Sequence, residues 1–307
     1  NKVQNMRFSL SMTTGTERPI SARDIAAYGT LAEELGFYAV YLTDHYYHSG
    51  PNFHSVGAAA AVAATTSTIK IGFSAYQAPL RHPIAAAKEL GHLDALCEGR
   101  LIAGLAAGSF DKEIDAFALP FKSRGAMLGE SLEVYKRLWT EDNVSHAGKF
   151  WSFENVTLQP KPVQDPYPPI WIGTWTAASR AARQVAEHAA GWQSSGLHTS
   201  VGEIPAGWAY IEKACAEIDR DPASIGRAYV NGVIHIAENA DKAWAEFTRH
   251  SNGNRERDLC FMGNADDVAG HVTALRDAGV EEISFLLGVD AHETIKAIAA
   301  DVMPKFN

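Results

Sequence analysis

The sequence predicts a (β/α)8 TIM barrel of the α/β class. Three observations point to it. Short runs rich in β-branched and aromatic residues alternate with longer helical segments. Eight such runs can be counted along the chain. The 307 residues hold the roughly 250 of a usual barrel together with insertions, so one domain over residues 1–307 is expected.

Met6 to Met12 reads as the first strand. Ser21 suits an N-cap, with Asp24 three residues on to offset the first turn, and the helix runs through Leu35 to a stop at Gly36. Tyr38 to Thr43 is the second strand and Phe53 to Ala64 the second helix. Thr68 to Phe73 is the third strand, a helix opens at Pro83, and Arg100 to Leu105 is the fourth strand. The alternation resumes with a strand at Pro169 to Gly173, a helix from Thr176 to His188 and a strand near Trp192. A helix around Trp208 to Asp219, a strand at Ala228 to Ala237 and a helix at Asp241 to His250 follow. A helix at Ala265 to Ala278, a strand at Glu282 to Leu287 and a helix at His292 to Val302 close the chain. Two segments break the rhythm. Val144 to Pro160 alternates around Gly148-Lys149 and reads as a β-hairpin inserted after the fourth helix. Ser251 to Asn264 is polar and glycine-containing, either a lid loop or a plain surface loop.

A formal charge of −9 and no concentrated basic stripe argue against a nucleic-acid partner. The longest apolar run, Gly57 to Ala64, is too short for a bilayer, so no membrane association is expected. Cys97, Cys215 and Cys260 fit neither a zinc spacing nor a complete disulfide framework, which suits a reducing compartment. With no signal-like start at Asn1 to Arg7, the expected location is the cytoplasm.

Several kinds of chemistry lack their motifs. There is no glycine-rich dinucleotide fingerprint after a strand, no phosphate loop and no serine nucleophile elbow. His45 and His48 lie in a loop before Gly50-Pro51 without the helical spacing of a zinc pair, so no metal site is expected.

Barrel chemistry sits at the carboxyl ends of the strands. Those tips read Thr43-Asp44-His45-Tyr46-Tyr47, Ser74-Ala75-Tyr76-Gln77, Ala106-Ala107-Gly108-Ser109 and Gly173-Thr174-Trp175-Thr176. His45 beside a carboxylate suits proton transfer near neutral pH, though a structural histidine reads the same way. Small residues at the third and fourth tips leave room for something flat and wide. Gly173 and Thr174 before a helix suit a phosphate, or else a tight turn. Tyr46, Tyr47, Tyr76, Trp175 and Trp192, with Ser109, would line an aromatic pocket for an apolar or planar substrate, unless some of them face the core.

Several stretches, in order, resemble the luciferase-like monooxygenase superfamily, which spans flavin monooxygenases and F420-dependent oxidoreductases. They are Leu35-Gly36-Phe37-Tyr38-Ala39-Val40 into Thr43-Asp44-His45, then Ile71-Gly72-Phe73-Ser74 into Pro79-Leu80-Arg81-His82-Pro83. Leu93-Asp94-Ala95-Leu96 into Gly99-Arg100-Leu101 follows, then Pro120-Phe121 with Arg124-Gly125. Last comes Leu158-Gln159-Pro160-Lys161-Pro162 into Pro169-Ile170-Trp171-Ile172-Gly173. The resemblance runs from Arg7 to about Trp192 and returns more weakly at Gly263 to Leu287.

The resemblance implies an isoalloxazine ring lying across the barrel mouth, with a cis peptide at Ser74-Ala75 beneath it. It implies cofactor contacts from Asp44, Ser74, Ala75 and Ala107, and from Gly173, Thr174, Trp175 and Thr176 around the phosphate. Trp175 is large for a phosphate turn and would instead shape the substrate side. His45 is implied as the proton donor. A homodimer through the alanine-rich stretch Ala58 to Ala64 is also implied, as is, for an FMN enzyme, a partner flavin reductase. The pattern departs where Ala106 and Ala107 replace a reactive Cys and a phosphate-binding Arg, and where Ser109 replaces a Glu. Those departures argue against light emission and sugar-phosphate oxidation. They lean toward coenzyme F420 and hydride transfer with a small organic substrate. An FMN-dependent monooxygenase using O2 is the alternative, and a non-catalytic flavin-binding protein the further one.

Overall fold

A computed structural model describes residues 5–13, 19–48, 52–175, 179–250 and 255–306, without the side chains of 179, 180 and 250. Strand β1 (Arg7–Met12) leads to helix α1 (Ala22–Glu34), whose start is fixed by a reciprocal box between Ser21 and Asp24. Leu35 caps its end, and Gly36 follows at φ +80°, a conformation open to glycine at little cost. Next come β2 (Ala39–Leu42), α2 (Ser55–Ala63), β3 (Lys70–Phe73) and the two-residue β4 (Tyr76–Gln77). Helix α3 (Pro83–Leu96) starts on the expected proline and precedes β5 (Leu101–Ala106).

Two helices follow, the short α4 (Asp111–Ala116) and α5 (Arg124–Thr140). After them come the antiparallel hairpin β6 (Val144–Ala147) and β7 (Ser152–Val156), where the alternation around Gly148 places it. Strand β8 (Ile170–Thr174), α6 (Ser179–His188), β9 (Gly191–Ser195) and α7 (Ile204–Ala216) continue the repeat. Then come β10 (Gly226–Ile236), α8 (Ala240–His250), β11 (Cys260–Gly263), α9 (Ala265–Asp277), β12 (Glu282–Leu287) and α10 (His292–Ala297).

Eight parallel strands close the ring in the order β1-β2-β3-β5-β8-β9-β10-β12, and β12 returns to β1 from Arg7↔Glu282 to Met12↔Leu287. The alternative of a lid over Ser251 to Asn264 needs correction in its second half. Cys260–Gly263 is strand β11, which pairs in parallel with Val233 to Ile236 and extends the sheet beyond the ring. Its apolar side packs with Ala243 and Val233, which is why it pairs instead of looping. Residues 251–254 lie outside the described residues.

Alternate strand residues point into the ring or out to the helices. The outward set forms the large core with the helices. Inside, Ala39, Tyr41, Ile102, Trp171, Ala228 and Val230 meet. Trp171 fits because its neighbours are glycines: a Cβ on Gly191 would fall 2.2 Å from its ring and one on Gly226 2.8 Å. The ring also encloses polar groups, with Glu282 Oε1 accepting from Ser9 Oγ at 2.7 Å and Tyr41 Oη at 2.8 Å. No helix among the described residues is long and apolar enough to cross a membrane.

Candidate functional site

The chain leaves β2 at Leu42 and runs along the carboxyl rim. Asp44 is buried there, and its carboxylate accepts from Ser55 Oγ (2.6 Å), the Gln77 amide (2.9 Å) and both terminal nitrogens of Arg81 (2.8 and 2.9 Å). Those four donors match the acceptor capacity of a carboxylate, so the expected cofactor contact gives way to a positioning role for its side chain. Burial works against the Arg81 charge, but Asp44 outweighs it and holds the guanidinium protonated. Arg81 also lies 3.9 Å from the Tyr76 ring centre and 4.4 Å from that of Tyr46.

Removing one partner strands the other charge without water. Arg81→Met is therefore expected to cost on the order of 3–5 kcal/mol in urea unfolding, and adding Asp44→Asn should recover part of it. Equal stabilities for the single variant and the native protein would show that the pair carries no such role.

His45 is partly exposed, and its Nδ1 lies 2.9 Å from Oε2 of the fully buried Glu113. Glu113 is the second centre of the rim, accepting from the Tyr46 amide (2.6 Å), the Tyr47 amide (3.0 Å) and Gln77 Nε2 (2.8 Å). Burial pushes its carboxyl up, but hydrogen bonds from His45, the Tyr47 amide and Gln77 prevail and hold it below the ordinary value of 4.5. A charged carboxylate can only accept, so Nδ1 of His45 carries a proton toward it. The neighbouring rings complete this side of the mouth: His45 lies 4.6 Å from His48, and His48 4.8 Å from Phe110. Burial and the charges of His45 and Arg255 push the His48 imidazole down.

Three strand tips bring small residues together in a floor, Ala75, Ala106 and Gly173. The peptide Ser74–Ala75 is cis, as expected. Asn231 holds it by donating Nδ2 to the Ser74 carbonyl (2.8 Å) and accepting from Ser74 Oγ (2.9 Å). A Cβ built on Gly173 would lie 3.1 Å from Ala75 Cβ, 3.7 Å from Ala106 Cβ and 3.8 Å from Gln193 Oε1. Gly173 is thus bare because the floor is tight there, rather than because a turn demands glycine.

Other expectations change with the register. Trp192 faces away from the mouth: it is buried, lies 6.4 Å from Trp208 of α7 and donates Nε1 to Thr174 Oγ1 at 2.8 Å. Thr174 therefore points to the same outer side. Tyr76 is also buried, with its hydroxyl donating to Glu89 of α3 at 2.7 Å. Ser74 is turned into the ring toward Ser11 Oγ (3.3 Å) and Asn231. Tyr46, Tyr47 and Trp175 remain exposed at the rim, Trp175 against His198 at 3.9 Å, while Ala107 and Ser109 are half-buried at the tip of β5. Gly173 and Thr174 end strand β8, and the helix that was expected to open at Thr176 is described from Ser179. Thr176 lies outside the described residues.

Glu113, Arg81, Gln193 and Asn231 were not singled out from the sequence. Arg81 lay within a family-bearing stretch. Glu113 had no signal, since it sits in a run of charges, Asp111-Lys112-Glu113, on a short helix.

A closed parallel barrel with a histidine–carboxylate pair and a patch of small residues at its carboxyl mouth defines the structural class of the chain. The family follows from the chain itself: residues 6–297 match luciferase-like monooxygenase, and the protein belongs to that family. It is 33% identical over 282 residues to the FMNH2-dependent dimethylsulfone monooxygenase of Pseudomonas putida, covering 77% of this chain and 74% of that one. It is 32% identical over 148 residues to the oxygenase component of the flavin-dependent trigonelline monooxygenase of Acinetobacter baylyi, a match that spans 46% of this chain but only 40% of that protein. Identity to the F420-dependent glucose-6-phosphate dehydrogenase of Amycolatopsis mediterranei is 25%, over 92% of this chain and 94% of that one. Among solved structures, the monooxygenase RslO1 of Streptomyces bottropensis superposes with a TM-score of 0.85 at 22% identity, covering 98% of this chain and all of that one. Among these, one is named for FMNH2, one for a flavin and one for F420.

The residues present suit a flavin-type ring on two counts. Ala75, Ala106 and Gly173 leave the floor clear of large side chains, and beside it Gln193, fully buried, keeps an Oε1 with no partner among the described residues.

Proposed function

We propose that the protein is an FMN-dependent monooxygenase of a small organic substrate, receiving its reduced cofactor from a partner flavin reductase. The observation that carries this over the F420 reading is the 33% identity over 282 residues to an FMNH2-dependent monooxygenase, against 25% to an F420-dependent dehydrogenase. The second reading, hydride transfer with F420, is favoured by Ala106 and Ala107 standing where the resemblance expects a reactive Cys and a phosphate-binding Arg.

Reduced FMN, when bound, supplies two electrons to O2, so that one oxygen atom enters the substrate and the other leaves as water. Ala75, Ala106 and Gly173 provide the surface for the ring. Glu113 orients His45 and fixes the proton on Nδ1, leaving Nε2 to exchange a proton with the substrate. Tyr46, Tyr47, Phe110 and Trp175 stand around the mouth, an aromatic rim that suits an apolar or planar substrate.

The test is to load the protein with FMN or with F420, reduce it without air, and follow its absorbance on adding O2. The FMN reading expects rapid reoxidation by O2 alone and product formation from screened substrates. Binding of F420 with reoxidation by substrate only would replace it with the second reading. Binding without turnover of any screened substrate by either route would favour a flavin-binding protein.

A further inference from the structure

We infer that Gln193 is a positioning residue for the cofactor, accepting a hydrogen bond from the imide N–H of a flavin-type ring. The inference rests on the reading that such a ring lies on the Ala75–Ala106–Gly173 floor.

Gln193 sits on β9 opposite Gly173 in the parallel register, with its side chain turned inward and fully buried. Glycine at 104 leaves room for the Phe73 carbonyl and the amide beside it, since a Cβ there would lie 1.8 Å from Phe73 O and 3.0 Å from Gln193 Nε2. Nε2 donates to the Phe73 carbonyl at 3.2 Å. That bond decides which way round the amide lies, because the flipped form would set two carbonyl oxygens against each other. Oε1 is therefore the free end, and no described group donates to it.

A buried acceptor without a donor costs about 1–3 kcal/mol, and most such groups in folded proteins have partners. Oε1 lies toward Gly173, whose absent Cβ would be 3.8 Å away, so a ring seated against that glycine would bring a donor to it. A flavin ring and a deazaflavin ring share one N–H that persists in both oxidation states, the imide between the two pyrimidine carbonyls. An amide oxygen is a matched acceptor for it. The N–H at position 5 exists only in reduced flavin and is replaced by carbon in a deazaflavin. The imide is therefore the donor that serves every state of either cofactor.

The experiment measures dissociation constants by fluorescence titration for native protein, Gln193→Met and Gln193→Leu. The probes are FMN, 5-deaza-FMN and N3-methyl-FMN, and circular dichroism follows folding. Folded variants are expected to bind FMN and 5-deaza-FMN about 10-fold more weakly, by similar factors, in line with a lost hydrogen bond. The native protein should bind N3-methyl-FMN at least about 10-fold more weakly than FMN, and the variants should lose that discrimination. A filler that merely supports the floor would not move this last readout.

Unchanged affinity in folded variants, or discrimination against the methylated probe that survives in them, would overturn the role of Gln193. Weakening of FMN alone, with 5-deaza-FMN unaffected, would overturn the imide as the donor. If the native protein binds none of the three probes, the underlying reading fails instead. Should both variants misfold, the native protein's preference for FMN over N3-methyl-FMN decides, and equal binding of the two sinks the inference.

Discussion

Gly173→Asp is expected to abolish cofactor binding, by at least about 100-fold, while leaving the barrel folded. The sequence suggested a phosphate turn at a helix start as the reason, and the structure supplies a steric one. The first atom of any side chain at 173 would already lie 3.1 Å from Ala75 Cβ, so the rest must rise over the floor. Aspartate adds a charge beside the unpartnered Gln193 oxygen and near an anionic cofactor, where both interactions are repulsive. Gly173→Ala should lose less, since a methyl group needs only a small displacement of Ala75. Because Gly173 is the penultimate residue of strand β8 rather than in its middle, the register below it is expected to be untouched. Fluorescence titration beside circular dichroism is the check. A folded aspartate variant with native affinity would place the ring elsewhere, and the floor would lose its assignment.

His45→Ala is expected to lower turnover by ~10²-fold or more while changing cofactor affinity only a few-fold, as for loss of a proton donor. The imidazole stands at the rim, partly exposed, with Nδ1 tied to Glu113. Glu113→Gln tests the tie from the other side. It removes the charge that fixes the Nδ1 proton and weakens the acceptor for the Tyr46 and Tyr47 amides, so a drop in turnover of about 10-fold is expected with His45 intact.

A pH signature accompanies it. The Glu113 carboxyl is held below 4.5 in the folded chain, so its contribution to stability is complete above that value. It is lost as the pH falls through the depressed folded value, and in Glu113→Gln this part of the acid dependence should be missing. Native turnover of His45→Ala across the pH range would remove the histidine from the mechanism.

What the sequence by itself determined was the repeat. Ser21 with Asp24, Gly36, Pro83 and the alternation around Gly148 act through near neighbours in the chain, so caps, stops and the hairpin could be read directly. The barrel followed from counting strands, and the tips that form the mouth followed from the strand ends. Tertiary structure decided which side chains at those tips face the mouth and which face the helices. Trp192 and Gln193 are adjacent on β9 and point to opposite sides of the wall, so the aromatic singled out from the sequence packs on α7 and the unremarked amide faces the floor. Side chains alternate with a period of two, and a one-residue uncertainty in where a strand begins exchanges its two faces. The other deciding contacts, Arg81 with Asp44 and Glu113 with His45, join residues 37 and 68 positions apart. No local pattern encodes such pairs; closure of the ring brings them together, and burial without water is what makes each pairing obligatory.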